Sequence, residues 1–211
     1  MQPLSFKEYL YFIEDYQPND IAALLESVLK FIAANIGSTI STKKISDYLT
    51  SAGRKTTSET IDNYLKMLEN AFIIYRASRF DLKGKLFLKT LEKYYIVDTG
   101  IRNQLTGLRN TDYGHMLESI VYFELIRRGY DVSVRKIGSL EVDFVATKSD
   151  KKTYFQVSAT IINEETLLRE LRPLQAIPDY YEKVILTMDQ SIYEDFEGIR
   201  SMNIIDFLLS D

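Results

Sequence analysis

The apolar residues of this chain change their spacing along its length, and the order of those changes leaves few architectures open. From Ile21 to Ala34, "IAALLESVLKFIAA" places Leu24, Leu25, Val28, Leu29 and Ile32 at the spacing of a helix that buries one stripe. "STKKISDYLTSAG" follows as a short helix beginning near Ser41 and stopped by Gly53. A third helix is predicted over Thr56 to Asn70, with Thr56 and Glu59 as a capping box and Ile61, Leu65 and Leu68 on its buried side. After Asn70 the spacing drops to two. "AFIIYRASRF" and "KGKLFLK" are β-prone runs about a charged turn at Asp81 to Lys85, and "KYYIVD" follows.

Three helices followed by a β-ribbon describe a winged helix, with Thr56 to Asn70 in the recognition position. The second half opens at "TGLRNTDYGHML", a loop-like segment, and continues as the helix "HMLESIVYFELIRRGY", ended by Gly129. Three strand candidates come next, "DVSVRKI", "EVDFVAT" and "TYFQVSAT", then a helix "EETLLRELRPLQAI", the apolar run "KVILTM" and a closing "SMNIIDFLLS". A meander followed by a helical crossover calls for a mixed sheet with helices packed on it, so the expected class is α+β or α/β. The expected organisation is an N-terminal segment over 1–19, a winged helix over 20–98 and a second domain over 99–211.

Composition narrows the chemistry. The 211 residues contain no cysteine and a single histidine, which excludes disulfide scaffolds and thiolate zinc sites and leaves oxygen as the donor for any metal. "MQPLSFKEYLYFIEDY" carries acidic residues where a signal peptide needs a basic patch, and the uncharged run Phe31 to Thr42 is far short of the roughly 20 apolar residues that cross a bilayer. A soluble cytoplasmic protein with no membrane partner is therefore expected. Net charge is unevenly spread: Lys43 to Lys93 holds 11 basic and 6 acidic residues, whereas Tyr94 to Asp211 holds 13 and 19. The basic excess is compatible with DNA as a partner of the first half. Arg54 and Lys55 ahead of the third helix, Lys66 on it, and Arg76, Arg79, Lys83 and Lys85 on the ribbon are the residues that could grip phosphates without reading bases. Glu59 and Asp62 on the outer side of that helix repel phosphate, and a protein partner fits the same architecture.

The candidate site lies on the hairpin "GSLEVDFVATKSDKKTYFQVSA". Residues two apart on a strand share a face, so Glu141 and Asp143 are expected to project together while Val142, Phe144 and Ala146 project the other way; Gln156 and Ser158 pair likewise. Glu118 joins them because Val121 and Leu125 put it on the apolar stripe of its helix. Carboxylates so gathered suit Mg²⁺, which takes oxygen ligands and can activate water beside a scissile phosphate. The alternative needs no metal, with Glu118 and Asp143 paired to Arg127, Arg128 or Arg135 or facing solvent. His115 reads as structural or solvent-exposed, since no triad pattern accompanies it. The tyrosine pairs Tyr94, Tyr95 and Tyr180, Tyr181 read as core edges rather than base-stacking platforms.

Gly114 and Glu118 before "RRGY", then "GSLEVDFVA", then "YFQVSA", resemble the PD-(D/E)XK restriction-endonuclease-like superfamily. More closely, "GRKTTSETIDNYLKMLENAFIIYRASRFDLKGK", "LKTLEKYYIVDTGIRN", "GHMLESIVYFELIRRGY" and "EVDFVA" are similar to the C-terminal region of uncharacterised bacterial and archaeal AAA-type ATPases, over roughly residues 20–209. That resemblance implies a winged helix and a restriction-endonuclease-like domain of unknown function, normally preceded by an ATPase core. "PLSFKEYL" resembles a remnant of that core, which fits a truncated gene or a paralogue. Neither "GSTISTKK" nor "AGRKTTSE" supplies the G-x-x-x-x-G-K-S/T of a P-loop, so no intrinsic ATPase activity is expected.

Within the superfamily pattern Glu118 matches the helix carboxylate and Asp143 the metal-binding aspartate. Gln156 falls where the second acid stands and Ser158 where the lysine stands. The amide oxygen of Gln156 can still ligate a metal, but a neutral serine cannot supply the lysine's positive charge to an attacking water. Arg169 and Arg172 are the nearest cations by sequence, and arginine cannot act as a base. The expectation is a non-catalytic binding or regulatory protein with a degenerate nuclease-like domain and no required cofactor. The competing expectations are a Mg²⁺-dependent DNA nuclease using Glu118, Asp143 and Gln156, and a protein assembly module.

Overall fold

The computed structural model describes residues 18–81, 86–107, 113–190 and 195–210. The segment 1–19 lies outside them except for its last two residues, as do Lys83 and Lys85. The chain is α+β and forms two compact units, Met1–Arg76 with Thr90–Leu108 and Ala77–Lys89 with Arg109–Asp211.

In the first unit α1 (Pro18–Ala34) buries Leu25, Val28, Leu29 and Ile32, the stripe that helical spacing marks. A short strand β1 (Thr39–Ile40) precedes α2 (Thr42–Ser51), whose N-terminus is capped by the Ser41 side chain accepting from the Lys44 backbone N–H. Gly53, at φ +83°, takes the left-handed turn beyond it. Helix α3 (Ser58–Asn70) starts later than expected. Its cap is Thr57, which accepts from the Thr60 N–H, and the predicted box of Thr56 with Glu59 does not form. Thr56 is instead tied to α2, its carbonyl accepting from the Ser46 hydroxyl and its N–H donating to Thr50 Oγ1.

Strands β2 (Ile74–Asp81) and β3 (Leu86–Ile96) follow α3, and β3 pairs antiparallel with β1 in the register Thr39↔Lys93 and Ile40↔Glu92. Tyr94 and Tyr95 are buried as core residues, and the Tyr94 hydroxyl donates to Glu92 at 2.8 Å. The segment after β3 holds a helix that spacing does not reveal. Asp98 caps α4 (Thr99–Thr106) by accepting from the Gly100 and Ile101 N–H groups, and α4 packs against α1.

The second unit begins with α5 (Tyr113–Arg127). Gly129 ends it as expected, at φ +80°, with its N–H on the Ile126 carbonyl and the Tyr130 N–H on Leu125. The antiparallel meander β4 (Asp131–Ile137), β5 (Leu140–Lys148) and β6 (Lys151–Ser158) leads to the crossover helix α6 (Glu164–Gln175) and to β7 (Glu182–Thr187), parallel to β6. The order helix, three strands, helix, strand is the expected one. The closing segment divides: β8 (Asp195–Phe196) and β9 (Ile199–Asn203) add to the sheet, and Asn203 then caps α7 (Ile204–Leu209). The sheet order is β4-β5-β6-β7-β9-β8, with β9 parallel to β7 and antiparallel to β8.

Helices cover both faces of this sheet. Val142, Val145, Tyr154, Leu171, Leu174 and Ile185 form the core beneath α6, and Tyr122 of α5 and Phe207 of α7 meet Phe144 and Phe155 on the other face. Burying each such side chain is worth roughly 1.5–3 kcal/mol, which fixes the layers on which the site is built.

Candidate functional site

Strict alternation along β5 fails at the site itself. Between the pairs Ser133↔Val145 and Arg135↔Val142, β5 advances three residues while β4 advances two, so β5 carries a bulge at Asp143 and Phe144. The expectation that Val142, Phe144 and Ala146 share one face is corrected accordingly: Val142 and Val145 lie together under α6, and Phe144 turns toward Tyr122.

The β5–β6 ladder runs from Lys148↔Lys151 to Phe144↔Phe155. Beyond that pair, side chains take over the bonding of backbone groups. Gln156 Oε1 accepts from the Asp143 N–H at 3.4 Å, and Asp143 Oδ2 accepts from the Val157 N–H at 3.0 Å. Each polar side chain thus satisfies a buried backbone donor that would otherwise be costly.

Where the two strands part, a cavity of about 570 Å³ opens between the start of α5, the fork and the middle of α6. Glu118, Glu141, Asp143, Gln156 and Ser158 all line it, so the structure brings together the residues that alternation selects. Glu118, Asp143, Gln156 and Ser158 are each less than 9% exposed. Ser158 donates to the Thr160 carbonyl at 2.9 Å, and His115 Nδ1 stands 3.3 Å from Glu118 Oε1, partly exposed in the first turn of α5.

The cavity contains one acidic residue that the sequence reading misses. Glu170 on α6 is buried, accepts from Gln156 Nε2 at 2.9 Å through one oxygen, and receives the Arg169 guanidinium at 3.0 and 2.8 Å through the other. Arg169, one of the two cations nominated by position, therefore lines the cavity, while Arg172 lies exposed in the last turn of the helix. The arginines considered as partners for Glu118 and Asp143 are engaged elsewhere. Arg127 and Arg128 converge on Glu124, and Arg135 donates to the Tyr154 hydroxyl at 2.7 Å, 3.8 Å from Asp179.

The fit to a divalent ion is poor as the side chains stand. Among the described residues no three His, Asp or Glu side chains are grouped so as to hold a metal. One Asp143 oxygen and the Gln156 oxygen already accept backbone N–H groups, so part of the acceptor capacity an ion would use is engaged in bonding the strands.

In the first unit the outward residues of α3 are Glu59, Asn63, Lys66 and Asn70, with Lys66 paired to Asp62 at 2.6 Å. Arg76 is held by Glu69 at 2.9 Å and by Glu92 at 3.4 Å, and Arg54 donates to the Ala23 carbonyl at 2.5 Å. Lys55 is exposed. The second tyrosine pair does not cover a core edge: Tyr180 is fully exposed, and Tyr181 lies beneath the Lys152 ammonium at 4.7 Å. No described helix is long and apolar enough to cross a membrane.

Residues 10–112 match the family model of a domain of unknown function (DUF8612). An uncharacterised protein of Haemophilus influenzae is 42% identical over 186 residues, which cover 88% of this chain and 46% of that protein. The uncharacterised protein MJ1544 of Methanocaldococcus jannaschii is 30% identical over 188 residues, 85% of this chain and 40% of its own. The chain thus spans less than half the length of these two relatives, and neither name states an activity. Among solved structures, protein VC1899 from Vibrio cholerae aligns with 95% of this chain and 52% of its own at 12% identity, but its TM-score of 0.32 says nothing of fold.

Proposed function

We propose that this protein is a non-catalytic binding protein, built as a winged helix followed by a degenerate restriction-endonuclease-like domain of the kind found at the C-terminus of AAA-type ATPases. The observation that carries the reading is the bonding of Gln156, whose amide bridges the Asp143 N–H and Glu170 while Ser158 spends its hydroxyl on a backbone carbonyl. The order α1, β1, α2, α3, β2, β3, with β1 against β3, supports the winged-helix part.

DNA is the proposed partner, held through its phosphates by the basic residues of the segment Ala77–Lys89. The α3 surface offers one lysine already paired with Asp62, so the grip falls to Arg79, Lys83 and Lys85. Each phosphate contact contributes about −0.9 to the slope of log affinity against log salt. Replacing both Lys83 and Lys85 by alanine is expected to weaken duplex binding and to make that slope shallower by about 2, read by fluorescence anisotropy across a salt series. An unchanged slope removes the ribbon from the interface. Absence of any binding at low salt transfers the proposal to a protein partner.

The Mg²⁺-dependent nuclease reading has one observation in its favour, the buried Glu170 with Arg169 beside the residue that replaced the second acid. Incubating plasmid and linear duplex with Mg²⁺ or Mn²⁺ tests it. Cleavage that Asp143→Asn abolishes would establish it against the reading preferred above.

A further inference from the structure

We propose that Tyr180, Tyr181 and Lys152 form a stacking platform for the unpaired bases of single-stranded DNA, carried on the loop 176–181 between α6 and β7. Tyr180 is fully exposed and Tyr181 half-exposed, so both rings stand in water, where they add little packing to the core. The loop that bears them is fixed from beneath by polar groups. Asp179 Oδ2 accepts from the Tyr154 hydroxyl at 2.6 Å, and that hydroxyl accepts from the buried Arg135 guanidinium at 2.7 Å. The other Asp179 oxygen accepts from the Tyr181 N–H at 3.4 Å, closing a turn of the loop on its own aspartate. Ile177 is buried in the core, and its carbonyl accepts from Lys183 Nζ at 2.9 Å. Aromatic rings held outward on an anchored loop lose little further freedom when a ligand settles on them.

The groups around the rings fit a nucleic acid better than a protein. The Lys152 ammonium lies 4.7 Å from the centre of the Tyr181 ring, and Lys151 beside it is exposed. Of the acids at this end of the sheet, Glu182 is paired with Arg200 at 2.9 Å and Asp179 is taken up by Tyr154, while Asp150 stands in the turn before Lys151. A protein interface has an apolar centre depleted of charge, whereas these rings are set among charged side chains. A single strand supplies both partners at once, flat bases for the tyrosines and phosphates for the lysines. A duplex supplies only phosphates here, because its base faces are stacked on one another. The surface is also separate from the cavity. Lys152 lies near the start of β6 and Ser158 at its end, about 20 Å apart at the rise of an extended strand. That the strand is DNA rests on the function proposed above; the platform rests on the loop.

Fluorescence anisotropy of the whole chain with labelled oligothymidylate of about 16 nucleotides tests this, beside a duplex of the same length. Tyr180→Ala is expected to weaken single-strand binding by about 5- to 100-fold, and Tyr180→Leu to weaken it as much, because an apolar side chain without a ring cannot stack. Tyr180→Phe should bind as the wild type does, since the hydroxyl takes no part. Lys152→Ala should make the slope of log affinity against log salt shallower by about 0.7. The Tyr180 variants should melt with the wild type by circular dichroism, the ring being fully exposed. Oligothymidylate that does not bind at low salt, or that binds Tyr180→Ala as it binds the wild type, overturns the proposal. Full binding by Tyr180→Leu also overturns it and leaves the loop to a protein partner. The duplex separates this inference from the function proposed above. Duplex binding that needs Lys83 and Lys85, with single-strand binding indifferent to Tyr180, sinks the platform alone. Tyr180-dependent single-strand binding without duplex binding upholds the platform and removes the grip on duplex.

Discussion

Arg128 lies just past the last residue of α5 and closes the far end of α7. Its guanidinium donates to the carbonyls of Phe207 and Ser210, stacks 4.4 Å over the Phe207 ring and pairs with Glu124 at 2.6 Å. Those carbonyls are the groups a helix C-terminus leaves without partners, so one side chain serves as cap, stack and ion pair. Arg128→Ala should lower unfolding free energy by about 2–4 kcal/mol in urea denaturation, and lysine should restore only part, because it lacks the planar fork. Glu124 accepts from both Arg127 and Arg128, and the Arg127 hydrogen bonds first, then those of Arg128, hold its carboxyl down to about 2 from an ordinary 4.5. A carboxylate depressed in this way stabilises the fold fully above 4.5 and loses that contribution as pH falls through about 2. Glu124→Gln should therefore flatten the loss of stability across that interval in acid titrations followed by circular dichroism. Residue-level legibility divides along the same physics. Glu118 can be found because it interrupts an apolar stripe, and Glu170 gives the same signal, standing between Leu167, Leu171 and Leu174 on α6. It passes unnoticed because the hairpin draws attention to strand alternation, and a buried acid on the facing helix enters the site only through the fold.

Elements with a full stripe or a bounded β-prone run were readable: α1, α2, α3, α5, α6 and the strands β4 to β6. Those missed were short or composite. Helix α4 has eight residues with apolar positions only at Ile101 and Leu105, too few to show a period, and its one legible mark is the Asp98 cap. "SMNIIDFLLS" reads as a single apolar run, although Asn203 divides strand from helix by accepting from the Ile205 and Asp206 N–H groups. The bulge in β5 could not be foreseen, since an extra residue is visible only once two strands are in register. One junction carries strain. Phe72, beyond the end of α3, adopts φ +56° with its ring 59% exposed, a conformation that β-carbon sterics disfavour for bulky residues. Its N–H and that of Ile73 close the helix onto Glu69 and Leu68, the arrangement in which glycine is preferred. Phe72→Gly is expected to raise stability by about 1 kcal/mol, measured by the same denaturation. A loss instead would mean that the ring's contact with Tyr75, at a centroid distance of 6.5 Å, outweighs the backbone strain.

At the scale of the whole molecule, the two units are not consecutive stretches of chain. Residues Thr90–Leu108 belong with Met1–Arg76, whereas Ala77–Lys89 belong with everything from Arg109 onward. A domain boundary at 98 separates α4 from the α1 surface it covers. A fragment ending at residue 98 should therefore melt at lower temperature and less cooperatively than one ending at 108, a comparison that circular dichroism makes directly. The interleaving also bears on how the protein comes into being. During synthesis the first unit cannot close until residue 108 has left the ribosome, and the segment Ala77–Lys89 must wait for strands made later still. Contacts of such long sequence separation slow folding and prolong the exposure of unpaired strand edges, at translation rates of about 5–20 residues per second. The order in which these segments emerge thus leaves Ala77–Lys89 without the rest of its unit until the residues from Arg109 onward are made.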